Sequence, residues 1–408
     1  MMAPRFSLRE FGPGLVIAAT GLGAGDLVVA AVAGARYGTV LLWAVLLGAL
    51  MKFAMNEGLA RWQLATGSTL LEGWIERLPQ PVSLYFLVYL LVWSFVVAGA
   101  LLAATGLAAH ALYPGLSVTQ WGVIHSLLAT ALVLSGRYRL LEPLMKLFMV
   151  IMMLVVLVCA ALIVPELADM PAVSWLPAIP PGSVLFIVGL IGGIGGSVTV
   201  LCYGYWMQER GWTTPAHLGH VRRDLAMAYT LTGLFGLAIM VIAAGVQPDE
   251  VTGARMALVV AARLETVIGP FGKWCFLVGF WSAVFSSMLG VWQGVPYLFA
   301  DYVRRCFRHS NVHSPVDTRS SAYRGYLFYL AIPPMVLLLA DKPVWLVLVY
   351  AVAGAFFMPL LGILLLVMNN RRTWTGELGN GIAANLILFS TVLLFGLLLL
   401  DTLRQTFD

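Results

Sequence analysis

An all-α polytopic membrane protein is predicted by three features of this 408-residue chain: 61% hydrophobic residues, only 11% charged ones, and apolar runs that recur along its whole length. Soluble domains carry about 25% charge and 45–50% apolar residues, so this chain has too little polar surface to face water. One bilayer crossing takes about 20 apolar residues. On that measure about eleven spans fit, near 13–34, 40–65, 83–112, 117–136, 143–165, 184–208, 225–246, 268–298, 325–341, 344–368 and 381–402.

The first span follows Arg5 and Arg9, is too long for a signal peptide, and holds Asp26 without an obvious cleavage site, so it is expected to stay in the mature protein. The second carries Lys52 with Asn56, and Glu57 with Arg61, as i,i+4 neighbours; a structural ion pair is expected, with Glu57 also a candidate coupling group. His110 and His125, in and beside the next spans, are read as structural. The segment 165–182, with Pro165, Pro171, Pro177, Pro180 and Pro181, then reads as an outer loop dividing five spans from the next five. The eighth span places Ser282, Ser286 and Ser287 on one stretch, where they face a central site or bond their own helix. The longest connector, 301–324, is rich in Arg and His and has no apolar pattern, so no soluble catalytic domain fits.

About sixteen basic residues lie in one alternate set of connectors against about six in the other, which predicts a cytoplasmic N-terminus and an outer C-terminus. The same scatter between spans removes nucleic acid as the reason for the net charge of +5. Cys159, Cys202, Cys275 and Cys306 show no paired spacing, so neither a disulfide framework nor a zinc site is expected. With no nucleotide-binding motif, nucleophile–base pair or cofactor motif, the chain reads as a transporter in a bacterial inner membrane, not an enzyme, with the lipid bilayer and a small-molecule substrate as its partners.

Two glycine-rich stretches point to the site. The first span holds Thr20, Gly21, Leu22, Gly23, Ala24, Gly25 and Asp26; the sixth holds Gly192, Gly193, Ile194, Gly195, Gly196, Ser197, Val198 and Thr199. Glycine costs a helix about 1 kcal/mol relative to alanine, so both spans are expected to unwind there. Unwound backbone at membrane depth is tolerated where it is packed in protein or lines a cavity, and interruptions at corresponding places in two halves mark a transporter's midplane site. The expected substrate site is therefore Thr20, Gly21, Gly23, Gly25, Asp26, Gly193, Gly195, Gly196, Ser197 and Thr199, with Tyr203, Ser282 and Ser286 around it. Asp26 is the leading candidate for binding or proton coupling, because an acid inside the membrane is functional by default.

Gly12-Pro13-Gly14, Gly34, Gly38, Leu41-Leu42-Trp43 and Leu64-Ala65-Thr66-Gly67 resemble the first two spans of the Nramp proton-coupled divalent metal transporters. The resemblance implies a LeuT-type fold: two inverted five-helix repeats, here about 13–165 and 184–368, plus an extra helix at 381–402. It also implies a departure at the site. Gly23, Ala24, Gly25 and Asp26 stand where that family has Asp-Pro-Gly-Asn, and Gly196, Thr199, Val200 and Leu201 where it has Ala, Met, Pro and His. With those ligands replaced, no metal-ligating residue is assigned. Bare N–H groups suit a carboxylate and bare carbonyls an ammonium, so import of small neutral amino acids is the expectation. Transport of a divalent cation, a hard one such as Mg2+, or Mn2+, is the alternative.

Overall fold

The computed structural model describes residues 12–21, 24–136, 138–168, 176–193, 195–244, 246, 256–308, 316–340 and 343–407. Among them every regular element is helical. The helices follow the apolar runs closely: α1 (Pro13–Gly21), α2 (Ala24–Tyr37), α3 (Leu42–Thr66), α4 (Leu70–Arg77), α5 (Gln80–Leu112), α6 (Val118–Ser135), α7 (Tyr138–Ala168), α8 (Val184–Gly193), α9 (Cys202–Glu209), α10 (Leu218–Ala244), α11 (Met256–Ile268), α12 (Pro270–Arg308), α13 (Ser321–Ala331), α14 (Pro343–Asn369), α15 (Arg372–Thr375) and α16 (Ile382–Phe407).

The second glycine stretch interrupts its span as expected, whereas in the first Leu22 and Gly23 lie outside the described residues. α1 stops at Gly21 and α2 begins at Ala24, while α8 stops at Gly193 and a 3-10 turn, Val198–Leu201, leads into α9. Three short helices, α4, α11 and α15, went unread in the sequence. One, α4, starts from a capping box: the Thr69 hydroxyl accepts the Glu72 N–H at 3.2 Å and the Glu72 carboxylate accepts the Thr69 N–H at 2.8 Å. The others, α11 and α15, precede α12 and α16.

By length and apolarity alone, eight helices among the described residues cross a membrane, or nine if Arg372–Leu378 and Ile382–Leu397, bent by 119°, form one span. The count of eleven is not reached on that measure. The described parts of the first span are helices of 9 and 14 residues on either side of Leu22 and Gly23, each too short to cross by itself.

The long α12 runs through the centre and packs on α1, α5, α6, α7, α11 and α13, while α10 packs on α2 and α3 and α14 on α8 and α16. Trp62, Trp74, Trp93 and Trp292 are fully buried, whereas Leu84, Val88, Leu127, Leu154, Leu386 and Leu393 are exposed. Apolar surface of this kind is stable because acyl chains are as apolar as leucine.

At the crossing of α3 and α8, a Cβ on Gly48 would lie 2.9 Å from the Ile191 Cα, so only glycine allows this approach. Gly48→Val is therefore expected to force the two helices apart and cost about 1–3 kcal/mol. Thermal melting of the purified variant checks this, and a melting point equal to that of the unsubstituted protein would refute it.

Candidate functional site

The first break is anchored from the centre of the bundle. Thr20, in the last turn of α1, is buried and its hydroxyl bonds back to the Val16 and Ile17 carbonyls, each at 2.9 Å. Its own carbonyl has no helical partner to expect at a C-terminal turn. Ser287 on α12 supplies one, its hydroxyl donating at 2.7 Å. Gly21 ends α1, and Gly25 and Asp26 fall in the first turn of α2. Gly23 and the Asp26 side chain lie outside the described residues.

At the second break the backbone itself requires glycine. Gly195 and Gly196 have φ of +74° and +81°, a region that costs other residues about 1–2 kcal/mol. A side chain at Gly195 would also meet the Tyr229 ring, and one at Gly196 would fall on the Thr199 hydroxyl. The Gly196 N–H turns to the Gly193 carbonyl at 3.1 Å. The Gly192 carbonyl instead accepts a hydrogen bond from Lys52 Nζ, 2.9 Å away on α3. Ser197 Oγ accepts the Trp93 indole N–H at 3.0 Å, and Thr199 is buried in the 3-10 turn. The two breaks adjoin: α1 packs on that turn and on α9, and α2 packs on α8.

Beyond the turn, three consecutive residues of α9 are tied to three different helices. Tyr203 donates to Asp224 Oδ2 on α10 at 3.0 Å, the Gly204 carbonyl accepts from Gln63 Nε2 on α3 at 2.7 Å, and Tyr205 donates to Asp301 Oδ2 on α12 at 2.8 Å. The same Asp224 oxygen accepts the Gly14 N–H at the start of α1, at 2.6 Å. One carboxylate thus holds both broken spans. Asp301 is in turn paired with Arg304 at 2.6 Å, and Arg305 pairs with Glu72 and with Glu76, the latter at 2.6 Å.

The remaining expected site residues divide. Tyr203 does not close over an open cavity: its ring is buried and its hydroxyl is given to Asp224. Ser286 bonds the Met149 sulfur at 3.3 Å and the Ala283 carbonyl at 3.0 Å, while the Ser282 hydroxyl is buried without a partner among the described residues. Glu57 is held between Arg61 at 2.6 Å and Arg222 at 2.9 Å, and Arg61 reaches on to the Leu378 and Gly379 carbonyls and to Asn380. His125 accepts the Trp281 indole N–H at 3.0 Å, a partner 156 residues away that the sequence did not reveal. Lys52, Asn56 and Gln63 contact the second break, Tyr229 and α9 from one side of α3. Their spacing of four and seven is a helical stripe, of which the sequence reading had singled out Lys52 and Asn56 but not Gln63. Asp224 and Asp301 carried no local signal. Among the described residues, no three His, Cys, Asp or Glu side chains converge to hold a metal.

The model of natural resistance-associated macrophage protein-like (Nramp) sequences matches residues 14–404. The chain belongs to the Nramp family. It is 30% identical to the divalent metal cation transporter MntH of Pectobacterium carotovorum over 59% of each chain, and to that of Klebsiella pneumoniae to the same extent. The match thus spans about three fifths of these curated relatives. A solved mutant of the Eremococcus coleocola manganese transporter shares the fold with a TM-score of 0.71 over 96% of this chain and 85% of that one, at 15% identity. MhsT in complex with L-phenylalanine follows with a TM-score of 0.64 and 14% identity, covering 95% of this chain and 97% of its own.

These findings correct the expected amino-acid substrate. The family and its sequence relatives point to metal ions, and the solved phenylalanine complex shares only the fold. Several of the carbonyls that the expected ammonium would have met already have partners among the described residues. Ser287 takes the Thr20 carbonyl, Lys52 the Gly192 carbonyl, and Gly196 N–H the Gly193 carbonyl.

Two outcomes follow from this geometry. Gly195→Ala is expected to lower the melting point more than Gly38→Ala, since both have positive φ but only Gly195 faces a ring; equal effects would show that the Tyr229 contact is unimportant. Asp224→Ala should free α1 and α9 together. Hydrogen bonds to charged groups are worth about 1.5–3 kcal/mol, so maleimide labelling of Cys202, now buried at the start of α9, should rise about tenfold or more in a background lacking the other cysteines. Unchanged labelling would show that Asp224 holds neither helix.

Proposed function

We propose that this chain is a secondary transporter of divalent metal cations, working by alternating access around the two adjoining breaks and taking a hard ion, Mg2+ ahead of Mn2+. The supporting observation is the combination of Nramp membership with motif positions that offer oxygen in place of sulfur and imidazole. Where the family's motif has its Asp and Met, this chain has Gly23 and Thr199. Soft or borderline transition metals are selected by thiolate, thioether and imidazole. Mg2+ keeps several of its waters and needs only one or two carboxylates, which suits a site whose acid is Asp26.

In this reading Asp26 supplies the carboxylate and Thr199 a hydroxyl, and remaining backbone carbonyls and retained waters complete the shell. Asp26, in the first turn of α2, offsets the positive end of that helix, which would otherwise repel a cation. The chain sits in a bacterial inner membrane with its N-terminus cytoplasmic and its C-terminus outside, as the basic connectors indicate. Residues 13–165 and 184–368 form the two repeats.

Proteoliposomes loaded with a magnesium- or manganese-sensitive dye test the proposal. Saturable Mg2+ entry, competed by Mn2+ and abolished in Asp26→Asn, is expected. Absence of any divalent flux would refute the transport assignment. Tight Cd2+ binding that Asp26→Asn leaves intact would refute the oxygen site while leaving metal transport standing.

A further inference from the structure

Lys52 is fully buried in the middle of α3, with none of its surface exposed. Gly48, one turn earlier, brings α3 against α8 at Ile191, and this contact delivers the lysine to the last turn of α8. There its Nζ lies 2.9 Å from the Gly192 carbonyl, which the Gly196 N–H has left by turning to Gly193. The carbonyl end of a helix carries about half a negative charge, and in lipid each unpaired group costs several kcal/mol. A half-helix that ends at membrane depth therefore needs a cation or a donor at its C-terminus.

We propose that Lys52 is a built-in counter-cation: its ammonium fills at the second break the place that an exchangeable monovalent cation would otherwise occupy. The chain carries this charge covalently, and its transport is independent of Na+ and K+ at that position. Removing the lysine side chain converts the carbonyl end of α8 into a site for a small monovalent cation.

The inference deepens the transport reading but is tested without any divalent ion, so failure of one is distinguishable from failure of the other. Purified protein is melted in chloride salts of choline, sodium and potassium at equal ionic strength. The unsubstituted protein and Lys52→Arg are expected to melt at the same temperature in all three. Lys52→Ala and Lys52→Met are expected to melt lower in choline and to recover by about 2 °C or more in sodium or potassium, as a ligand of the folded state requires. Neutral variants that melt alike in the three salts overturn the proposal, as does a sodium- or potassium-dependent melting point in the unsubstituted protein. Should neither neutral variant fold, the comparison of the unsubstituted protein with Lys52→Arg decides: cation-independence in both supports it, and dependence in either overturns it.

Discussion

Backbone polarity in a medium without water governs this molecule. Where a helix stops inside the membrane, the N–H and C=O groups that it releases are kept from lipid by partners within the protein or by a cavity that they line. The arrangement of polar side chains follows from that requirement. Ser287 on α12 serves the carbonyl end of α1, and Lys52 on α3 serves the carbonyl end of α8. Trp93 on α5 fixes Ser197 within the second break. The partners come from helices that are themselves unbroken, so an intact frame supports an interrupted centre.

Charge is distributed by the same logic at the end of the bundle that holds α4 and α9. Tyr205, Asp301, Arg304, Arg305, Glu72 and Glu76 form one connected cluster that joins α4, α9 and α12. A buried charge left without a partner is strongly destabilising, and the net gain of a paired one over a hydrophobic contact is small. The cluster is thus better understood as fixing the register of three helices than as a store of stability. Arg61 acts similarly between Glu57 and the turn at 378–380.

The helical architecture was legible because it depends on local apolar length: the predicted runs at 40–65 and 184–208 match α3 and the α8–α9 span within two residues. The second break was legible because glycine weakens helices wherever it stands. What the sequence concealed were contacts across the fold. Gly14 and Asp224 are 210 residues apart, and no periodicity links them. The substrate was misread for a related reason. The glycines advertise unpaired backbone, but whether a backbone group stays unpaired is decided by side chains such as Lys52 and Ser287 that arrive from elsewhere.

A single oxygen of Asp224 accepts both the Gly14 N–H and the Tyr203 hydroxyl. Two parts of the chain almost two hundred residues apart in sequence therefore share one acceptor, and a displacement of α10 removes the anchor of each at once. Loss of either donor leaves the other bond in place, so what joins the two half-helices is their common dependence on the position of α10.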